Sequence, residues 1–193
     1  MTGGIACGKS TVADFWRRWG AEVLDADHVA HALIARGGAC VEAVVQAFGD
    51  RVRAADGGVD RRVLGSIVFA DAAAREKLNA LLHPAVIRRM QAWAEEIRRE
   101  GRIGVAVVPL LFEAGMENGW DAVVCVASGE QTMLERLEHR GLSPQEAKAR
   151  MDSQWPVRRK MERADHGIEN NGSLAELEMQ CRAVWNDLVE QGE

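Results

Sequence analysis

Residues 3–10 of this 193-residue chain read Gly-Gly-Ile-Ala-Cys-Gly-Lys-Ser, a full G-x-x-x-x-G-K-[ST] phosphate-binding loop. No other stretch constrains the fold as strongly. Such a loop joins a strand to a helix, because Gly3 and Gly8 let the backbone curl until successive N–H groups face one centre. The positive end of the helix then favours an anion at that centre. Gly4, Ile5, Ala6, Cys7 and Gly8 are expected to line a nucleoside triphosphate with their backbone, with Lys9 reaching the β- and γ-phosphates. The hydroxyl of Ser10 is placed to ligate Mg2+, and Thr11 lies in the opening turn of the helix. The plainer alternative is a glycine turn that only caps a helix.

A loop of this kind normally follows a buried strand, yet only Met1 and Thr2 precede Gly3. Two residues are too few for a central strand, so the first strand is expected to be largely missing. An assigned start too far downstream is the favoured reading. Neighbouring strands are then expected to be partly unpaired and the loop poorly anchored.

The chain is 47% hydrophobic and 27% charged, which suits one globular domain. A net charge of −5 argues against nucleic-acid or membrane binding as a bulk property. The longest apolar run, Val105 to Phe112, is too short to cross a bilayer. The four cysteines, Cys7, Cys40, Cys125 and Cys181, show no paired spacing, so they are expected to be reduced and the compartment cytoplasmic. Cys40 and Cys125 read as buried small hydrophobes. Cys7, beside Lys9 and the phosphate-directed amides, is a candidate for a lowered thiol pKa.

Short apolar runs alternate with helical patterns, the signature of an α/β fold whose parallel sheet is flanked by helices. Strands are predicted at Ala21 to Leu24, Ile103 to Val108, Ala122 to Ala127 and His166 to Ile168. Helices are predicted at Ser10 to Trp19, His28 to Arg36, Val41 to Phe48, Arg61 to Phe69, Asp71 to Leu82, Ala85 to Glu100, Gly129 to Arg140, Pro144 to Gln154, Val157 to Arg163 and Leu174 to Glu190.

Four further stretches carry chemistry. In Val23-Leu24-Asp25-Ala26-Asp27-His28, strand alternation puts both carboxylates on one side, where one can orient a hydroxyl and the other hold Mg2+ through water. Equally, Asp25 ends the strand and Asp27 caps a helix beginning at His28. In Leu82-His83-Pro84, the proline is read as starting one helix just after another ends, with His83 either structural or a ligand donor. Val108-Pro109-Leu110-Leu111-Phe112-Glu113 runs a buried strand into a loop with a carboxylate, as substrate contact or as ordinary core. The helical region 135–163 bears Arg136, Arg140, Arg150, Arg158, Arg159, Lys160 and Arg163, and reads as a lid that adds positive charge over the phosphates.

In order and spacing these stretches resemble the dephospho-coenzyme A kinases. The resemblance runs from Thr2-Gly3-Gly4-Ile5 through Asp25-Ala26-Asp27 with Ala30-His31, Phe48-Gly49, Asp56-Gly57, Asp60-Arg61 and Leu82-His83-Pro84. It continues through Val108 to Glu113, Arg136-Leu137, Arg140, Leu142-Ser143, Arg150, Gln154, Lys160, Ala164-Asp165 and Asn170. It implies a P-loop kinase fold in a single domain, with a helical substrate-binding insertion at about 28–100 and a lid at about 135–163. The implied activity is ATP-dependent phosphorylation of the 3′-hydroxyl of dephospho-coenzyme A, by a monomer or weak homo-oligomer. The resemblance implies Asp27 as the group that takes or orients the hydroxyl proton, supported by Asp25. Arg140 is implied over the nucleotide and Asn170 near its adenine side. His31, His83, Leu110, Phe112 and Glu113 are implied on the coenzyme A side. The chain departs from the family's usual loop at Ala6-Cys7, where Gly-Ser is expected. If position 6 needs a positive φ, alanine costs about 1 kcal/mol of strain.

Three rivals stay open at this point: another nucleoside or nucleotide kinase, a GTP-dependent switch, and an inactive remnant. The switch would be expected to carry an Asn-Lys-x-Asp motif, and none is present.

Overall fold

The computed structural model describes residues 1–190. Its elements alternate as the apolar runs predict. They are β1 (Thr2–Gly3), α1 (Lys9–Arg18), β2 (Glu22–Asp25), α2 (Ala26–Ile34), α3 (Val41–Phe48), α4 (Arg61–Ala70) and α5 (Ala72–Arg99). Then follow β3 (Gly104–Val107), β4 (Val124–Ala127), α6 (Glu130–Glu138), α7 (Pro144–Asp152), α8 (Val157–Arg163), β5 (His166–Glu169) and α9 (Leu174–Glu190). The chain forms two compact units, one of Met1–Val23 with Ile103–Glu193 and one of Leu24–Arg102.

The first unit is built on parallel strands. β1 pairs with β4 and β4 with β5, with Thr2 opposite Cys125 and Cys125 opposite Gly167. β2 pairs with β3. The expectation that the neighbours of β1 are partly unpaired holds in part: β1 faces only Cys125 and Val126 of β4, and β2 and β3 form a sheet apart from β1, β4 and β5, although Met1 reaches across to the β3 segment. The Met1 nitrogen donates to the Ala106 carbonyl at 2.7 Å, and the Val108 N–H donates to the Met1 carbonyl at 2.9 Å. Those two bonds follow the parallel ladder pattern and tie Met1, just before β1, to the β3 segment, while β1 itself pairs with β4. β4 and residues 105–107 of β3 are apolar and buried on both faces because helices cover both, while β2 and β5 carry polar residues. α1 and α9 pack on each other and against β3 and β5, while α8 packs against β1 and β4. Between them lie Val12, Phe15, Trp16, Val107, Val124, Val126, Ile168, Leu177 and Trp185.

The second unit is helical, with a core of Ile34, Val41, Val44, Val45, Val52, Val59, Leu64 and Leu82. Three of its helices start on an aspartate. Asp25 accepts from the Asp27 N–H, Asp60 from those of Arg62 and Val63, and Asp71 from that of Ala73, at 2.8 to 3.1 Å. One sequence expectation fails here: α5 runs unbroken through Pro84 instead of stopping at Leu82. A proline in a helix interior costs about 3 kcal/mol. Leu82, Val86 and Met90 are buried at helical spacing around it. Each such side chain contributes roughly 1.5–3 kcal/mol, enough together to carry the helix past the proline.

Candidate active site

β1 delivers the chain into the glycine loop under tight steric limits. Gly3 has φ +143°, and a Cβ there would lie 2.1 Å from the Val126 carbonyl oxygen. Backbone cannot yield at that distance, so no other residue fits without parting β1 from β4. Gly8, with φ +91°, caps α1, and a Cβ there would lie 2.2 Å from Nδ2 of Asn170. Ala6 has φ +58° and is the one non-glycine with positive φ among the described residues. The strain expected if position 6 were left-handed is therefore present, about 1–2 kcal/mol. Part of it is offset because the Ala6 methyl is buried with Leu137 and Ala147, against Ile5, Leu134, Leu142 and Met151.

The loop is well anchored, contrary to expectation. Nζ of Lys9 arches back over it, donating to the Gly3 carbonyl at 3.1 Å and the Gly4 carbonyl at 2.7 Å. The Ile5 N–H donates to Oε1 of Gln154 at 3.1 Å. Ser10 is exposed in the first turn of α1, with Thr11 next to it. Cys7 does not have the depressed pKa that its neighbours suggested. Its side chain is fully buried with Sγ 3.4 Å from Sδ of Met133, and burial pushes the thiol up by more than Lys9 pulls it down. Burial likewise pushes Cys125 up to about 12 and Cys181 up to about 11, and all four cysteines are free and buried.

A second layer holds the loop from outside. Arg136, in the last turn of α6, donates from Nη1 to the Ala6 carbonyl at 3.1 Å and to Oγ of Ser128 at 3.0 Å. Its Nη2 donates to the Asn170 carbonyl at 3.1 Å and to Oδ1 of Asn170 at 3.3 Å. Asn170 is buried just past β5, where its N–H donates to the Ala127 carbonyl at 2.8 Å and its Nδ2 to the Cys7 carbonyl at 3.0 Å. Arg140 is exposed in the turn after α6. α7 begins with a reciprocal capping box between Ser143 and Glu146.

On the 109–113 segment of the same unit, Leu110 is exposed while Phe112 is buried and stacked on Trp155, with centroids 6.3 Å apart. The Arg159 guanidinium sits 3.5 Å over the other ring of this pair, Trp155. Glu113 Oε1 accepts from Nζ of Lys160 at 2.7 Å and from the Trp155 N–H at 2.9 Å. Lys160 has no solvent exposure, and its Nζ also donates to the Pro109 carbonyl at 2.8 Å. Oε2 of Glu113 is buried without a hydrogen-bond partner.

In the second unit, the aspartate that caps a helix is Asp25, not Asp27, because α2 starts at Ala26. Strand alternation therefore does not relate the two carboxylates: Asp25 is engaged by the Asp27 N–H at 2.8 Å, while Asp27 is exposed in the first turn. One turn further along α2, His31 has its pKa lowered by burial and by the positive charge of Arg61, against the opposing pull of Asp27. His83 is exposed on α5. Among the described residues, no three or more His, Cys, Asp or Glu side chains gather as a metal site.

The residues around the loop whose role the sequence did not give are Ser128, Gln154, which the resemblance names without a role, and Arg136 in its inward role. Ser128 follows the carboxyl end of β4, which is where ligands of parallel sheets sit, and that rule is the signal for it.

A family model described as dephospho-CoA kinase matches residues 1–176. The chain is 42% identical to a dephospho-CoA kinase from Geobacillus kaustophilus, over 97% of this chain and 96% of that one. It is 44% identical to a dephospho-CoA kinase from Symbiobacterium thermophilum, over 96% of this chain and 78% of that one. The dephospho-CoA kinase from Campylobacter jejuni superposes with a TM-score of 0.77 at 28% identity, covering 100% of this chain and 96% of that one. A crystal structure of a Thermus thermophilus protein superposes with a TM-score of 0.78 at 38% identity, covering 97% of this chain and 95% of that one.

Proposed function

The chain belongs to the dephospho-CoA kinase family, and on that premise we propose how its residues divide the work. The activity is ATP-dependent phosphorylation of dephospho-CoA to CoA, the last step of CoA biosynthesis. Phosphoryl transfer asks a protein mainly for positioning and charge neutralisation. The observation that carries the assignment is the loop itself, running from a paired β1 into the N-terminus of α1 with its glycines in conformations no other residue fits.

The amides from Gly4 to Thr11 cradle the ATP phosphates, and Lys9, released from the Gly3 and Gly4 carbonyls, neutralises the β- and γ-phosphates. Asn170 borders the nucleotide, and Arg140 on the 135–163 lid adds charge over it. Among the described residues no metal cage gathers; Mg2+ would arrive with ATP, and the Ser10 hydroxyl would be its protein donor. When bound, Mg2+ spreads the charge that builds on the transferring phosphate. Asp27, exposed on α2, accepts the proton of the attacking 3′-hydroxyl, while Asp25 fixes the helix turn that presents it. His31 and His83 on the 28–100 insertion, and Leu110, Phe112 and Glu113 on the loop after β3, serve dephospho-CoA. Glu113 acts there through its unpartnered Oε2, since its other oxygen is taken. No helix among the described residues is long and apolar enough to cross a membrane. We place the enzyme in the cytoplasm as a monomer or weak homo-oligomer.

The test is ADP release from ATP and Mg2+ with dephospho-CoA, adenosine, AMP or no acceptor, for the native chain and Asp27→Asn. Release that requires dephospho-CoA and falls at least a hundredfold in the variant is expected. Full turnover by Asp27→Asn would remove that residue from the proton transfer.

A further inference from the structure

The roles above leave unexplained why a guanidinium reaches under the glycine loop. The fork of Arg136 meets four acceptors, the carbonyls of Ala6 and Asn170, Oγ of Ser128 and Oδ1 of Asn170, at 3.0 to 3.3 Å. Those acceptors are fixed in turn. Ser128 donates from Oγ to the Asn170 carbonyl at 2.8 Å, and Asn170 continues the β4–β5 ladder through its own N–H to Ala127. The four bonds therefore tie α6 to the carboxyl ends of β4 and β5 and, through them, to the loop.

A trans peptide is planar, so a carbonyl held on one side aims the following N–H to the other. Arg136 pins the plane after Ala6, and Asn170, itself held by Arg136, pins the plane after Cys7. The second plane carries the Gly8 N–H, which planarity turns to the side opposite the Cys7 carbonyl and its Asn170 partner. Arg136 also holds the carbonyl of Ala6, the one non-glycine at positive φ among the described residues, where the backbone would otherwise relax.

We propose that Arg136 is a positioning residue for ATP: it touches no substrate and acts by fixing the Ala6 peptide plane, whose N–H turns back to the Gly4 carbonyl, and through Asn170 the Cys7 plane, so that the Gly8 N–H is set for the phosphates before ATP arrives. Such preorganisation favours binding and transfer alike, because no reorientation of dipoles is left for the reaction. The inference rests on the phosphate-loop assignment above, and its test separates the two.

ATP affinity and steady-state constants for both substrates are measured for the native chain, Lys9→Ala, Arg136→Ala and Arg136→Lys, with melting temperatures alongside. Arg136→Ala is expected to weaken ATP binding at least tenfold and lower kcat, with the KM for dephospho-CoA moving less than twofold. Millimolar guanidinium, matched in ionic strength by sodium chloride, is expected to restore at least a third of the lost affinity in Arg136→Ala and none in Lys9→Ala. A merely structural role would not give that rescue. Unchanged ATP affinity in Arg136→Ala, or a loss that guanidinium does not relieve, overturns the inference. Should the alanine variant not fold, Arg136→Lys decides: it keeps the charge but not the fork, so native ATP affinity in it overturns the inference and a fivefold or greater loss supports it. Lys9→Ala with native ATP affinity would instead overturn the phosphate-loop assignment.

Discussion

Replacing Lys160 by methionine removes the cation from a buried pair while keeping most of the side-chain volume. The Nζ of Lys160 lies 2.7 Å from Oε1 of Glu113, with relative side-chain exposures of 0% and 16%. At that separation the attraction is about 6 kcal/mol for an effective dielectric constant of about 20. Much of it is cancelled by the several kcal/mol per ion needed to take each group out of water. Removing one partner forfeits the attraction and leaves the other ion's desolvation in place, so Lys160→Met should cost about 3–5 kcal/mol. Glu113 would keep only the Trp155 N–H, with Oε2 unpartnered as before. Glu113→Gln, which strands the ammonium, should cost about 3 kcal/mol. The double variant buries neither charge and should lose only about 1–2 kcal/mol, a coupling of at least 2 kcal/mol. Urea unfolding followed by tryptophan fluorescence suits the measurement, since Trp16, Trp19, Trp120, Trp155 and Trp185 belong to the unit that holds the pair. A cost under about 1 kcal/mol for Lys160→Met, or losses that add within about 0.5 kcal/mol, would refute the reasoning.

Ala6→Gly should change stability by less than about 0.5 kcal/mol. It relieves about 1–2 kcal/mol of left-handed strain, but adds about 0.5–1 kcal/mol of chain entropy and forfeits a buried methyl at about 0.8 kcal/mol. Ala6→Val, β-branched in the same conformation, should cost more than about 2 kcal/mol, read by the same urea titration. Pro84→Ala should stabilise the 24–102 unit by about 2 kcal/mol in hydrogen-exchange protection, because a backbone donor returns to the middle of α5 and a ring clash goes; a loss of protection would contradict the proline cost. His31 has a folded pKa below its ordinary value of 6.5, so the folded state favours the neutral ring. Its contribution is present above about pH 6.5 and is lost as pH falls toward the lower folded pKa. His31→Gln should therefore melt with a smaller drop than the native chain between about pH 7.5 and pH 5.5, and equal drops would exclude His31 as the source.

What was legible in the sequence was what local chemistry dictates. The glycine loop is readable because its amides must converge, whereas the positive φ at position 6 enters only as a condition, from the resemblance to a family with glycine there, and Ala6 adopts it. β3 and β4 are readable because burial on both faces demands apolar runs. Local rules failed where tertiary burial outweighed them. Pro84 reads as a helix start, yet the apolar row of Leu82, Val86 and Met90 keeps one helix intact. Asp25 and Asp27 were related by strand alternation, but the strand ends at Asp25, and two residues on a helix do not share a face.

The two cations that matter most to the architecture were hidden inside a stretch that reads as one basic lid; both sit at the spacing of an apolar stripe, a spacing that exposed Arg150 shares between Ala147 and Met151, so it is the waiting acceptors that set these two apart. Lys160 lies three residues after Val157 and next to Met161, and Arg136 lies three after Met133 and next to Leu137. Both therefore fall on the apolar stripe of their helices, where a charge can stand only if a fixed acceptor waits for it. Arg158 and Glu162, by contrast, pair on the exposed face of α8. In a parallel sheet the acceptors nearest such a stripe lie at the carboxyl ends of strands, and the structure supplies them there: the Pro109 carbonyl after β3 for Lys160, and for Arg136 the Ser128 hydroxyl after β4 and the Asn170 carbonyl after β5. A cation interrupting an apolar helical stripe and met by such acceptors beside a glycine loop thus marks a strand end that needs holding, and those strand ends are where a P-loop kinase keeps its substrates.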